Sequence, residues 1–182
     1  MNDREPHMHF VCTPDEAGEL VKNHHEYWVC NCGCREERGR CARSRMDVCL
    51  TFFEGGTVTG SGRRQITAGE VAAILHEAKE KYLVARPFRD EETHTTVQGI
   101  CFCCDDCCGY FLNPEEVCEK GRYIERTDMD GCTHCGDCRP VCYFKARTMH
   151  DDRLAVDSEN CYGCGLCAAI CPTDCIQMVE RG

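Results

Sequence analysis

The sequence predicts an α+β chain in two parts. Residues 1–118 read as a small cysteine-rich module of mixed α/β character, and residues 119–182 as a tail of short paired strands. Three observations predict this. Cysteine supplies 21 of the 182 residues, a level that marks a chain built around its sulfur atoms. Two stretches of the front carry helix-start signals followed by apolar residues at helical spacing. The tail holds two alternating segments and a tight turn between regularly spaced cysteines.

Each element follows from local chemistry. Thr13 is a candidate N-cap, with Pro14 at the first helical position and acids in the first turn, so a helix should run to about His25. Residues 56–67 read as loop or short strands. Thr67 and Glu70 form a capping box, and Val71, Ile74, Leu75, Ala78 and Tyr82 line one helical face, which is core packing rather than a cofactor wall. Pro87 closes the helical region, and residues 89–96 read as an exposed connector. In the tail, 122–126 and 175–180 alternate well enough to pair, while 147–157 should form a hairpin turning at Asp151–Asp152.

So many thiols fit either a disulfide scaffold or a metal-loaded protein. The cysteine count is odd, and residues 1–20 show no apolar segment with a small-residue cleavage site. The expectation is therefore a cytoplasmic, metal-loaded chain. No run approaches the roughly 20 apolar residues of a membrane span. Formal charge is −10, without the basic footprint that nucleic-acid binding leaves. Short basic patches such as Arg63–Arg64 read as solvated faces or docking spots for an acidic partner. No Ser-His-Asp set, paired carboxylate site or glycine-rich phosphate loop stands out, and Gly55–Gly56 and Gly60–Ser61–Gly62 read as turns.

The tail cysteines carry the clearest signal. Cys132, Cys135, Cys138 and Cys142 form a C-x2-C-x2-C-x3-C run, and Cys161, Cys164, Cys167 and Cys171 repeat it before Pro172. Three thiolates at this spacing wrap three corners of an iron–sulfur cubane, while the fourth is aimed at a neighbouring cluster. Gly136, Gly163 and Gly165 allow backbone N–H groups close to the sulfides. Zinc needs only four ligands, usually as paired knuckles, so the repeated third and fourth cysteines exceed its requirement.

These residues resemble the bacterial-type dicluster ferredoxins over about residues 120–182. The resemblance implies a ferredoxin-like fold with two short β-hairpin pairs and two [4Fe-4S] clusters. Carried onto this chain, Cys132, Cys135, Cys138 and Cys171 would hold one cluster, and Cys161, Cys164, Cys167 and Cys142 the other. Two departures stand out: Tyr143 occupies a place where a proline often follows the first run, and Cys175 replaces a small apolar residue. Cys175 reads as a buried small hydrophobe. His134, inside a cluster loop, could tune potential through hydrogen bonding; the other histidines noted, 24, 25, 76, 94 and 150, read mostly as surface residues.

The front carries two further cysteine-rich segments. One holds Cys30, Cys32, Cys34, Cys41 and Cys49; the other holds Cys101, Cys103, Cys104, Cys107 and Cys108. If the intervening helix packs across a small core, the two segments can converge. Neighbouring residues on a strand face opposite ways, so a Cys-Cys pair tends to serve two sites. The order C-x-C-R, a later cysteine, "DVCL", then I-C-x-C-C-x-x-C-C resembles a family of anaerobe proteins that place such a module before a ferredoxin domain. The matching residues are Cys32, Cys34, Arg35, Cys41, Cys49, Cys101, Cys103, Cys104, Cys107 and Cys108; Cys12, Cys30 and Cys118 are peripheral to the pattern. The resemblance implies iron–sulfur binding without fixing which cysteine serves which cluster.

Softness of the ligands favours one or two further [4Fe-4S] clusters here, with structural zinc as the alternative and redox dithiols as a third reading. Cys107-Cys108-Gly109 also resembles the CCG element of non-cubane clusters in heterodisulfide-reductase-like subunits, but the flanking spacing does not fit. The expected function is a multi-cluster carrier that relays single electrons between redox protein partners such as an oxidoreductase, without catalysis of its own. The alternatives are an electron-input subunit of a larger redox enzyme, with a catalytic or non-cubane cluster in the front module, and a redox or iron sensor. A surplus of thiols favours the carrier.

Overall fold

The computed structural model describes residues 6–55, 60–113 and 116–182. The expected loop at 56–59 and Gly56 of the Gly55–Gly56 pair lie outside the described residues. The front module is built on a five-stranded antiparallel sheet. Its strands are β1 (Tyr27–Cys30), β2 (Cys49–Thr51), β3 (Arg64–Ile66), β4 (Val84–Arg89) and β5 (Val97–Cys103), in the order β3-β1-β2-β5-β4. The helices are α1 (Pro14–Lys22), α2 (Gly33–Arg38), α3 (Ala68–Glu80) and α4 (Gly109–Leu112).

Strand alternation gives this sheet two different faces. Val29, Leu50, Ile100 and Phe102 join the main core with Val71, Ile74 and Ala78 of α3. Cys30, Cys49, Cys101 and Phe88 form a separate cluster. Both long helices open on the expected capping boxes, Thr13 with Glu16 and Thr67 with Glu70. Two expectations fail at their ends. Helix α1 stops at Lys22, before His25. Helix α3 stops at Glu80, and Tyr82 sits beyond it at φ 50°. There Leu83 N–H donates to Ala78 C=O (2.8 Å) and Tyr82 N–H to Lys79 C=O (3.1 Å), the Schellman pattern with tyrosine in the left-handed place.

Pro87 does not end a helical region, because it lies inside β4 opposite Ile100. A proline is tolerated there since β4 is the last strand of the sheet, and its carbonyl accepts from Phe10 N–H at 3.2 Å. The segment around Phe10 reaches onward to the tail: Val11 N–H donates to Glu119 C=O (3.1 Å) and Glu119 N–H to His9 C=O (2.9 Å).

The tail matches its expected elements closely. Strand β6 (Tyr123–Thr127) pairs with β9 (Ile176–Glu180), and β7 (Arg147–His150) forms a hairpin with β8 (Arg153–Val156). Asp151 and Asp152 at the turn have φ 48° and 60°, as a two-residue hairpin loop of the right twist requires. A short helix, α5 (Leu166–Ile170), follows the second cysteine loop. Gly163 sits at φ 79°, where a Cβ would lie 2.0 Å from the Tyr123 carbonyl oxygen. The architecture is α+β with a ferredoxin-like tail.

Front and tail share a continuous core. Val141, Tyr143 and Leu166 of the tail belong to the same buried cluster as Val84 and Phe102 of the front. Tyr143 Oη donates to the Tyr82 carbonyl (2.9 Å), so the left-handed turn after α3 also anchors the tail. An aromatic seam completes the joint. Phe144 stacks on Tyr162 (4.3 Å, 8°), Phe111 meets Tyr143 and Phe144 edge-on, and Tyr110 meets Tyr162 at 6.2 Å.

Candidate metal centres

In the tail, the cysteine loops close around two cavities. One is lined by Cys132, Cys135, Cys138 and Cys171, with Gly136, Leu154 and Cys175. The other is lined by Cys142, Cys161, Cys164 and Cys167, with Gly163, Gly165 and Phe144. Each run of four thus sends its last cysteine to the other run's cavity.

The donor chemistry fits an iron cluster. Burial pushes the thiols of Cys164 and Cys167 up to about 12, so in bare protein they would stay protonated. Their use as ligands needs positive charge in the cavity, which iron supplies. The walls also supply donors to sulfur. His134 N–H donates to Cys132 Sγ at 3.4 Å, while its Nδ1 accepts from Leu154 N–H at 3.1 Å. Arg147 Nη1 donates to Cys138 Sγ at 3.4 Å, and its other nitrogen bonds Glu125 at 2.5 Å. Arg147 also lines the second cavity, and its buried charge acts on Cys167 there. Cys175 Sγ lies 3.5 Å from Cys171 Sγ on the wall of the first cavity.

In the front, the two cysteine segments do converge, and the ten thiols with Cys118 fall into three groups. The first is Cys41, Cys104 and Cys107. Their sulfurs lie 3.6 Å (Cys41–Cys104) and 3.5 Å (Cys104–Cys107) apart. The second surrounds Arg86, whose Nη1 reaches Cys108 Sγ at 3.3 Å and Cys103 Sγ at 3.9 Å. Cys34 interacts with both Cys108 and Cys32, which brings Cys32 and Cys34 into this group. Burial pushes the Arg86 guanidinium down, but the nearby Cys103, Cys118 and Cys108 thiols and the Glu116 carboxylate at 2.6 Å push it up further. The third group is Cys30, Cys49 and Cys101. Cys30 stands opposite Cys49 in the β1/β2 register, and Cys49 Sγ lies 3.6 Å from Cys101 Sγ.

The double cysteines divide between groups, Cys103 and Cys104 at the end of β5 and Cys107 and Cys108 in the turn before α4. Cys104 and Cys107 face one group, while Cys103 and Cys108 face another. The sequence pattern leaves Cys30 peripheral, yet the sheet places it beside Cys49. Its only signal is being in register across two strands, which a single segment does not reveal. The buried Arg86 and Arg147 also escape a reading of the sequence. Each breaks an otherwise apolar or alternating strand, and that is the clue that could find them.

Regularly spaced thiols around paired, cross-lined cavities define the class: a dicluster iron–sulfur protein. Residues 131–175 match the 4Fe-4S dicluster domain. A ferredoxin-like protein in the vnf region of Azotobacter vinelandii is 38% identical over 60 residues, which is 29% of this chain and 92% of that protein. An uncharacterized ferredoxin of Methanocaldococcus jannaschii is 33% identical over 88 residues, 44% of this chain and 52% of that protein. One component of an ion-translocating oxidoreductase complex from Methanosarcina acetivorans is 32% identical over 60 residues, 33% of this chain and 23% of that protein. The chain belongs to the [4Fe-4S] ferredoxin family. It is an iron–sulfur electron-transfer protein with more than one [4Fe-4S] cluster.

Proposed function

We propose that the chain is a carrier in which residues 119–182 hold two [4Fe-4S] clusters and residues 1–118 add further metal centres to the same electron path. The observation that carries this reading is the crossed lining of the tail cavities, Cys171 with Cys132, Cys135 and Cys138, and Cys142 with Cys161, Cys164 and Cys167. These eight residues are the proposed cluster ligands. Cys32, Cys34, Cys103 and Cys108 are the proposed four-thiolate set of the front, and Cys41, Cys49, Cys101, Cys104 and Cys107 also serve as metal ligands there.

When bound, each cluster supplies a one-electron redox couple whose potential depends on charge, burial and hydrogen bonds to sulfur. The protein's own residues set those conditions. Arg147 places a positive charge against Cys138 and the wall of the second cavity, which favours the reduced, more negative state. His134 N–H acts in the same direction at Cys132. Between front and tail, Arg86 lies over the Tyr110 ring at 4.5 Å, Tyr110 meets Tyr162, and Tyr162 lines the second cavity. This route joins the Cys103–Cys108 group to the tail through packed side chains.

The partners are redox proteins. With a formal charge of −10, the chain would be steered toward basic patches on an oxidoreductase. No helix of the described residues is long and apolar enough to cross a membrane. A second reading, a component that feeds electrons into a larger redox assembly, is favoured by the similarity to part of an oxidoreductase complex. Anaerobic purification with iron and acid-labile sulfide counted per chain tests the proposal. About eight of each would confine clusters to the tail, and about twelve or more would extend them forward. A colourless chain without sulfide would overturn it.

A further inference from the structure

The three front groups are not alike, and the difference is one of scale. Cys41, Cys104 and Cys107 form the only set of three or more cysteine, histidine or acidic ligand atoms within 4.8 Å of one another among the described residues. No three sulfurs around either tail cavity come so close. A tetrahedral ion bound to sulfur at about 2.3 Å holds its sulfurs about 3.8 Å apart. The observed 3.5 and 3.6 Å separations are of that size. In a cubane each thiolate binds a different iron, so the sulfurs are spread around the cluster. A set this tightly drawn together leaves room for one ion.

The site is also built for its purpose by contacts that do not involve sulfur. Cys41 lies on the loop after α2, far in sequence from the Cys104–Cys107 turn. Ala42 N–H donates to Asp106 Oδ2 (2.9 Å), and Arg43 pairs with Asp105 at 2.6 and 3.1 Å. These contacts pin the loop to the turn, so the three thiols are brought together before any ligand arrives. Behind them lies Arg35, fully buried, which donates to the Phe102 carbonyl (2.9 Å) and interacts with Cys107. Three thiolates around a divalent ion leave one negative charge, and the Arg35 guanidinium balances it. Cys104 and Cys107 are buried, whereas Cys41 is half-buried at the outer side.

We propose that Cys41, Cys104 and Cys107 bind one mononuclear, thiolate-preferring divalent ion, zinc or ferrous iron, with the fourth position open to water or an external ligand. Zinc sites with three protein ligands and one exchangeable position are the general precedent. The inference rests on the reading of the front thiols as metal ligands and is independent of the two tail clusters.

The test is a metal and sulfide count on the full chain purified without oxygen, beside the variants Cys41→Ser and Cys41→His. The wild type should hold one zinc per chain, or one iron in excess of acid-labile sulfide. Cys41→Ser should lose that ion and keep its sulfide, and Cys41→His should regain most of the ion, since imidazole is also a ligand. A wild-type chain with iron equal to sulfide and no zinc would overturn the inference even if Cys41→Ser proved unstable. So would loss of about four irons and four sulfides together in Cys41→Ser. Failure of the iron–sulfur reading would look different, as absent sulfide in the wild type whatever its zinc content.

Discussion

The tail and the front solve one problem, bringing many thiols together, in opposite ways. In the tail, three of the four cysteines at each cavity come from a single seven-residue run, and only the fourth crosses over. In the front, each group mixes residues from separate segments, such as Cys41 with Cys104 or Cys49 with Cys101. The tail's eight motif sulfurs stand around cavities, while in the front three sulfurs, those of Cys41, Cys104 and Cys107, lie within 4.8 Å of one another. Local spacing therefore encodes a cluster site almost by itself, whereas a site assembled from a sheet depends on strand register.

Four substitutions break or sharpen this contrast. The largest effect should come from Cys164→Ala, which leaves one tail cavity with three thiols. About four irons and four sulfides should be lost per chain while metal in the front stays, read by elemental analysis. Loss of all metal together would show that the two regions load as one unit. Next is Phe144→Ala, which removes a ring stacked on Tyr162 in the seam. Because Phe144 is only partly buried, the cost should be about 2 kcal/mol, below the 3–5 of a fully buried phenylalanine. Thermal unfolding followed separately at front and tail should shift together, as the shared core requires; a lower midpoint in the tail alone would mean two independent units.

A smaller effect is expected from Arg147→Met. Removing a buried positive charge next to both tail centres disfavours the reduced state, so both potentials should fall. The drop should be some tens of millivolts, given that ~59 mV is a tenfold change for one electron. Redox titration checks this, and the front centres should not move. Unchanged tail potentials would show that Glu125 already cancels the charge. The smallest effect is Thr67→Ala, which removes the α3 capping box. It should cost about 1 kcal/mol in denaturant unfolding and leave metal content unchanged.

Much of the molecule is legible before folding because it follows from neighbours in the chain. Thr13 and Thr67 cap their helices from three residues away, and Asp151–Asp152 set the hairpin turn. The tail's cysteine periodicity groups six of its eight lining thiols. Pro87 reads wrongly as a helix stop because a proline's meaning depends on whether its strand is an edge, which is a property of the sheet. Tyr82 falls outside its expected helix because the tail's Tyr143 and the following Leu83 hold the turn that ends α3.

The sequence alone determined that this protein is rich in thiol donors, that its tail has the spacing of two cubanes, and where its main helices begin. Only the tertiary structure decided which front cysteines meet, that Cys30 lies among them, and that Arg35, Arg86 and Arg147 are buried beside sulfur. The physical reason is range. Capping, turns and x2 spacing act within a few residues, while strand register and charge burial bring together groups dozens of positions apart.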